Sequence, residues 1–247
     1  MQRNKLGLLG KNIDYSFSRS YFSEKFKREN LDFSYTNFDV DSLDKLQLIV
    51  SDKKLIGFNV TIPYKEEIIH HLDSINDEAN TIGAVNTVAI NSLGKLIGFN
   101  TDCWGFAESL RPHLKANHNK ALILGTGGAA KAIAYVLKQF GISFKYVSRK
   151  QSDEVLINYK QLNSEIIESH KLIINCTPIG TYPNIDYAPE IPYEFISEQH
   201  ILFDLIYNPE KTLFLKKGED KGAKTINGYE MLVLQAERAF QIWQDFI

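Results

Sequence analysis

Three polar motifs in this chain have residue types and spacings suited to chemistry. Lys65 closes Phe58-Asn59-Val60-Thr61-Ile62-Pro63-Tyr64-Lys65, Asp102 closes Gly98-Phe99-Asn100-Thr101-Asp102, and a glycine-rich loop follows as Gly125-Thr126-Gly127-Gly128-Ala129-Ala130. A lysine and an aspartate facing one cleft supply and orient the proton that must accompany hydride transfer. The three motifs together therefore point to a ketone or alcohol held beside a nicotinamide. Without its context Lys65 reads as a surface lysine on a helix, and Asp102 as a helix cap. The context changes that. Asn59 and Thr61 alternate at a strand end, projecting polar groups to the side where a strand usually places apolar ones, an edge suited to reading substrate hydroxyls. Asn100, Thr101 and Asp102 gather three more at an interdomain crossing, a favoured place for ligands.

The loop residues divide the work of binding a dinucleotide. Gly125 permits the tight turn, Gly127 lets the backbone approach the pyrophosphate, and Ala130 takes the small position where helix packs on strand. Thr126, Gly128 and Ala129 complete the run that opens the helix, whose amides face the phosphates. An apolar strand, Ala121 to Leu124, precedes the loop, and an alanine-rich helix follows it. At the end of the next strand an NAD enzyme offers an acid to the adenosine ribose; this chain offers Ser148-Arg149-Lys150. A guanidinium at Arg149 suits both stacking on adenine and pairing with a 2′-phosphate, so the expected cofactor is NADP(H).

The elements that must position these residues alternate from end to end, short β-rich runs with helical segments, which is an α/β pattern. Strands are expected at Lys5 to Leu9, Phe33 to Phe38, Ile56 to Val60, Thr87 to Ile90 and Lys95 to Phe99, the last two joined by the turn Asn91-Ser92-Leu93-Gly94. Helices are expected at Arg19 to Arg28, at Ser42 to Leu48, and after Pro63, a residue suited to a first helical turn. Asp102 reads as the cap of a helix running to about Leu114. Beyond it come strand Ala121 to Leu124, helix Ala129 to Phe140, and strands Phe144 to Ser148, Lys171 to Asn175 and Ile201 to Leu205. Pro178 to Pro192 is too irregular for an element, and Tyr229 to Phe246 reads as a long helix with a broad apolar face. The architecture expected is an N-terminal mixed α/β substrate domain (1–101 with 227–247) and a Rossmann-like doubly wound nucleotide-binding domain (102–226).

Taken in order, the motifs resemble the shikimate dehydrogenase family over nearly the whole chain. The matching pieces are Asn59 to Lys65, Ile82-Gly83-Ala84-Val85-Asn86-Thr87, Gly98 to Asp102, Gly125 to Ala129, Asn175-Cys176-Thr177-Pro178-Ile179-Gly180, Asp204-Leu205-Ile206-Tyr207-Asn208-Pro209, and Asn227-Gly228-Tyr229-Glu230-Met231-Leu232 with Gln235-Ala236. The resemblance implies reversible reduction of 3-dehydroshikimate to shikimate with NADPH, on the route to chorismate and the aromatic amino acids. It implies that Ser16 and Ser18 bind the substrate carboxylate. Thr61, Asn86, Asp102 and Gln235 would surround the ring hydroxyls, with Lys65 at the reacting oxygen and Tyr207 nearby. Leu205 and Gly228 would border the nicotinamide, and the Thr177 region would line the cofactor groove. Three places depart from the family pattern. Tyr15 and Arg19 stand where a histidine and a proline usually flank the serines, Ser148-Arg149-Lys150 replaces asparagine-arginine-threonine, and Thr181 replaces a methionine.

Composition narrows the alternatives. With a formal charge of −2 the chain of 247 residues has no global basic field for nucleic acid. No apolar run approaches the roughly 18 to 20 residues of a membrane span, and the first, near Leu6 to Leu9, is too short and glycine-broken for a secretory core. Two distant cysteines, Cys103 and Cys176, fit a reducing compartment, and neither they nor the six histidines form a metal-ligand motif. The expectation is a cytoplasmic enzyme, monomer or homodimer, with a small-molecule partner and no metal. Its rivals are a relative that prefers quinate or another ring acid, and a ligand-binding sensor without turnover.

Overall fold

The structure, a computed structural model, describes residues 4–14, 16–149 and 157–247. Tyr15 and Lys150, both singled out above, lie outside the described residues. The chain forms two compact units, Met1–Thr101 with Ala236–Ile247, and Asp102–Gln235.

The first unit contains β1 (Asn4–Gly10), α1 (Phe17–Arg28), β2 (Phe33–Asp39), α2 (Leu46–Val50), β3 (Leu55–Val60), β4 (Ser74–Ile75), α3 (Asp77–Ile82), β5 (Thr87–Ile90) and β6 (Leu96–Phe99). Among the described residues these strands make a six-stranded mixed sheet in the order β2-β1-β3-β5-β6-β4. Interior strands buried on both faces need apolar residues at nearly every position, which is why β1 and β3 read as continuous apolar runs. Successive side chains enter different cores. Leu6 and Leu8 join Phe22, Phe26, Tyr35, Phe240 and Trp243, whereas Leu9 joins Phe58, Val60, Val85 and Val88. Helix α1 begins at its Ser16 cap and ends in Lys25, Lys27 and Arg28, cations placed where the helix dipole favours them.

The expected helix after Pro63 does not form. Residues 62–66 make a turn that includes a cis Ile62–Pro63 bond, and Glu67–His71 is a 3-10 segment. The cause is a contact distant in sequence: the Lys65 carbonyl accepts a hydrogen bond from the Val85 N–H at 2.7 Å, so it is drawn out of a helical ladder.

The second unit contains α4 (Asp102–Leu110), β7 (Lys120–Leu124), α5 (Gly128–Gln139), β8 (Ser143–Ser148), β9 (Ile157–Asn158), α6 (Ser164–Ser169), β10 (Leu172–Asn175), β11 (Ile201–Asp204), α7 (Leu213–Glu219), β12 (Lys224–Ile226) and the start of α8 (Tyr229–Gln244). Its sheet runs β12-β11-β10-β7-β8-β9, with every pairing parallel. Counted from β7 as first strand, that is the 3-2-1-4-5-6 order of doubly wound dinucleotide folds. Asp102 is the first residue of α4 rather than its cap, and α4 stops at Leu110, short of the expected Leu114. Arg111–His113 continues as a 3-10 turn, because Pro112 has no N–H to extend the α-helical ladder.

Candidate active site

In the first unit the segment carrying Lys65 is fixed from both sides. The Tyr64 phenol, 3% exposed, donates to the Val40 carbonyl at 2.8 Å, while Val85 holds the Lys65 carbonyl. This joins the Asn59–Lys65 motif to the Ile82–Thr87 motif through backbone. The Lys65 side chain is half-buried, and so is Thr61, whose N–H donates to the Leu9 carbonyl at 2.9 Å.

Asn86 anchors a buried polar cluster. Its carbonyl oxygen Oδ1 accepts from the Thr101 N–H at 2.7 Å and from the Thr87 hydroxyl at 3.1 Å, while its Nδ2 donates to Thr101 Oγ1 at 3.1 Å. The cluster ends at Thr101, immediately before Asp102. Asp102 is itself 6% exposed and lies in the first turn of α4, where the N-terminal amides favour a carboxylate.

Asn59 differs from the expectation of a hydroxyl reader at an open strand end. Strand β3 is interior, flanked by β1 and β5, and Asn59 is 5% exposed. Its Nδ2 donates to the Asn86 carbonyl at 3.2 Å and to Thr87 Oγ1 at 3.1 Å, and its Oδ1 accepts from the Tyr35 phenol at 2.8 Å. Asn59 therefore orders the residues around it. Burial holds the Tyr35 phenol neutral, raising its pKa well above the usual tyrosine range. Ser18 is buried in the first turn of α1, and Ser16 caps that helix by accepting from the Ser18 N–H at 3.2 Å. Sequence reading assigned no role to Tyr35, which carries no signal beyond strand propensity, or to Thr87, which it marked only as the last residue of the Ile82–Thr87 motif.

In the second unit the glycine loop leaves β7 and the Asn175–Thr177 loop leaves β10, the two adjacent strands at which the strand order reverses. Ligands of open α/β sheets bind at that switch point. Gly125 adopts φ +106°, and a Cβ there would lie 3.2 Å from Thr177 Cγ2. Gly127 precedes the twelve-residue α5, and a Cβ built on it meets nothing within 4 Å. This is a cradle open on the side where helix amides would meet phosphate, with Thr126 exposed and Gly128 and Ala129 half-buried beside it, so the residues fit a dinucleotide. Ser148 ends β8, and Arg149 follows it exposed.

A buried carboxylate ties the neighbouring loops together. Asp204 Oδ1 accepts from Asn175 Nδ2 at 3.0 Å and from the Ile206 N–H at 3.1 Å, and its Oδ2 accepts from the Thr212 hydroxyl at 2.6 Å. Asn175 Oδ1 accepts from both the N–H and the hydroxyl of Thr177, at 3.0 and 2.6 Å. Burial outweighs these donors and pushes the Asp204 carboxyl up to about 7. This clamp was missed in the sequence, although an acid closing an apolar strand was a readable sign of one. Leu205 and Gly228 are brought together: the Gly228 N–H donates to the Ile206 carbonyl at 3.0 Å, and a Cβ on Gly228 would collide with the Leu205 carbonyl. Tyr207 is half-buried on the same loop, and Gln235 is 8% exposed on α8.

Comparison with known proteins bears on what this arrangement serves. A family model for the shikimate dehydrogenase substrate binding domain matches residues 8–88. The NADP(+) shikimate dehydrogenase of Methanococcus maripaludis strain C6 is 40% identical over 96% of this chain and 90% of its own length. The chain belongs to the shikimate dehydrogenase family. Among solved structures of similar proteins, shikimate 5-dehydrogenase from Thermus thermophilus, in complex with NADP(H) and shikimate, is 30% identical. It aligns with a TM-score of 0.87 over 99% of this chain and 94% of that one. The ligand-free 5-ketofructose reductase of Gluconobacter sp. strain CHM43 is also 30% identical, with a TM-score of 0.86 over 99% and 94%. In this member of the shikimate dehydrogenase family, Arg19 occupies the third position of α1 and is exposed. A first helical turn accepts either arginine or proline, so this departure leaves the α1 start intact.

Proposed function

We propose that this chain catalyses the reversible NADPH-dependent reduction of 3-dehydroshikimate to shikimate, as a cytoplasmic enzyme, monomer or homodimer. What carries the reading is the glycine loop and the Thr177 loop standing side by side at the switch point of a 3-2-1-4-5-6 sheet, in a chain 40% identical to an NADP(+) shikimate dehydrogenase. When bound, NADPH supplies the hydride. Gly125, Thr126, Gly127, Gly128 and Ala129 would hold its pyrophosphate, Ser148 and Arg149 its 2′-phosphate, and Thr177, Leu205 and Gly228 its nicotinamide half.

The chain's own residues do the rest. Lys65, as ammonium, gives a proton to the oxygen that becomes the alcohol, and Asp102 accepts a hydrogen bond from the neighbouring ring hydroxyl and keeps the lysine in register. Ser16 and Ser18 donate to the carboxylate. Thr61, Asn86, Tyr207 and Gln235 read the ring hydroxyls, and Asn59 holds Asn86 and Thr87 in place. A ring bearing a carboxylate and several hydroxyls requires many directed hydrogen bonds, and a site built to make them rejects analogues that lack the matching group.

Identity to a 5-ketofructose reductase at 30%, the same as to the Thermus thermophilus shikimate 5-dehydrogenase, makes the substrate the point to test. Absorbance at the nicotinamide band, with shikimate, quinate and 5-ketofructose each tried with NADP(H) and NAD(H), is expected to show turnover of shikimate with NADP above every other pair. A higher specificity constant for another substrate would replace the assignment, and binding of shikimate without turnover would make the chain a sensor.

A further inference from the structure

We propose that Asp204 is a positioning residue for the cofactor: by fixing the side-chain amide of Asn175, it holds Thr177 in place beside the glycine loop. This rests on the reading of Thr177 given under the proposed function.

Asn175 and Asp204 end β10 and β11 and are register partners, so their side chains stand on the same side of the sheet. Asn175 Nδ2 donates to Asp204 Oδ1 at 3.0 Å. A carboxylate only accepts, so it draws the NH2 end of the amide and turns Asn175 Oδ1 the other way. There Oδ1 takes the Thr177 N–H at 3.0 Å and the Thr177 hydroxyl at 2.6 Å, and that hydroxyl accepts from the Ile179 N–H at 3.3 Å. An amide turned over would set its NH2 against the Thr177 N–H, donor against donor. Asn175 and Asp204 are both 0% exposed, so water does not compete for either partner. The start of the loop is held separately, since the Cys176 N–H donates to the Leu124 carbonyl at 2.9 Å, next to Gly125. Backbone thus brings the loop to the glycine turn, and the Asp204–Asn175 pair sets which way half-buried Thr177 leaves it. The remaining ties of Asp204 run elsewhere. Thr212, the cap of α7, donates to its Oδ2 at 2.6 Å, and the Ile206 N–H donates to Oδ1 at 3.1 Å, on the loop of Leu205.

The test is NADPH binding, read by fluorescence titration of the full chain, with urea unfolding of the ligand-free protein alongside. Asp204→Leu keeps the branched shape and removes both acceptors; it is expected to weaken the Kd for NADPH about tenfold, the worth of one buried hydrogen bond. Asp204→Asn keeps an acceptor for Asn175, and the Thr212 hydroxyl can turn to accept from the new amide, so its Kd is expected within about twofold of wild type. Thr212→Val cuts the tie to α7 and not the one to Thr177; it is expected to lower the urea midpoint and leave the Kd within about twofold. Thr177→Val is expected to weaken NADPH about tenfold, and its combination with Asp204→Leu to be no worse than either alone. Wild-type affinity in Asp204→Leu overturns the proposal, as does a loss in Asp204→Asn as large as in Asp204→Leu. An equal loss in Thr212→Val would mark a purely structural role and overturn it too. Multiplication of the two effects in the double variant would mean that Asp204 acts by another route, such as Leu205, and also overturns it. If Asp204→Leu does not fold, Asn175→Ala replaces it, cutting the same chain at its middle while leaving Asp204 to Thr212 and Ile206; the same tenfold loss is expected, and wild-type affinity refutes the clamp. Wild-type affinity in Thr177→Val removes the cofactor role of Thr177 and this proposal with it, whereas a weakened Thr177→Val beside an indifferent Asp204→Leu removes only the proposal.

Discussion

Two glycines two residues apart in the nucleotide loop are expected to fail in opposite ways when replaced by alanine. Gly125 sits at φ +106°, where an L side chain is strained, and its new Cβ would lie 3.2 Å from Thr177 Cγ2 and 3.3 Å from the Cys176 carbonyl oxygen. Backbone strain of that kind costs about 1–3 kcal/mol. Gly125→Ala should therefore lower the ligand-free protein's stability by about that amount and shift the Thr177 loop as well. Gly127 has φ −77° and ψ −177°, ordinary extended geometry, and its Cβ would meet nothing within 4 Å. Alanine is the poorer residue at a helix cap, but it lowers the entropy of the unfolded chain by about 0.4–1 kcal/mol, so the two effects nearly cancel. The open space beside Gly127 is where a pyrophosphate must come close to the backbone. Filling it should forfeit about one charge-assisted hydrogen bond, roughly 1.5–3 kcal/mol or a 10- to 150-fold weaker Kd for NADPH. Urea unfolding of the ligand-free protein and NADPH fluorescence titration separate the two outcomes. Wild-type NADPH affinity in Gly127→Ala would refute the phosphate reading of this loop.

Other perturbations address the chemistry, the cofactor and the pH response. Lys65→Ala should lower turnover by about 10²–10⁴, the usual contribution of a general acid, with a smaller change in the KM for shikimate; near-normal turnover would remove Lys65 from catalysis. Arg149→Ala should weaken NADPH by about 1.5–3 kcal/mol in a binding titration and leave NADH unchanged, and equal losses would refute the 2′-phosphate assignment. Acid should destabilise the fold through His118, His170 and His200, whose pKa values burial lowers. At two of them Nδ1 accepts a backbone N–H, from Lys115 at 2.9 Å to His118 and from Ser197 at 3.0 Å to His200, so protonation there would set two donors face to face. Below about pH 6.5 the unfolded chain takes up protons that these folded histidines refuse, so their contribution to stability is present above that pH and lost beneath it. Asp204 works the other way, since its folded carboxyl, raised to about 7, keeps a proton that the unfolded chain releases from about pH 4 upward. Urea midpoints at pH 7.5 and 5.5 should therefore fall on acidification, and fall further in Asp204→Asn; a midpoint independent of pH in that variant would contradict the histidine account.

The parts of this molecule legible in sequence are those whose physics is local. The glycine loop is one, because its turn, its close approach and its helix start all lie within six consecutive residues, Gly125 to Ala130. The strands were another, since burial of both sheet faces writes itself as apolar runs such as Ala121 to Leu124. The helix after Pro63 failed for a reason that no local window contains, the capture of the Lys65 carbonyl by Val85 twenty residues away. The Tyr35–Asn59 bond is less legible still, because it depends on register across three strands. Tyr35 pairs with Leu6, and Leu8 pairs with Asn59, so both polar side chains share the face of Leu6 and Leu8 across the intervening strand. A slip of one residue in either pairing would turn one of them to the opposite face and separate them. The polar network of the first unit is thus a consequence of strand register, and register is set by the apolar residues between its members. Changes at Leu6 or Leu8 that disturb either pairing therefore bear on the geometry of Tyr35, Asn59 and Asn86, although neither leucine carries a polar group.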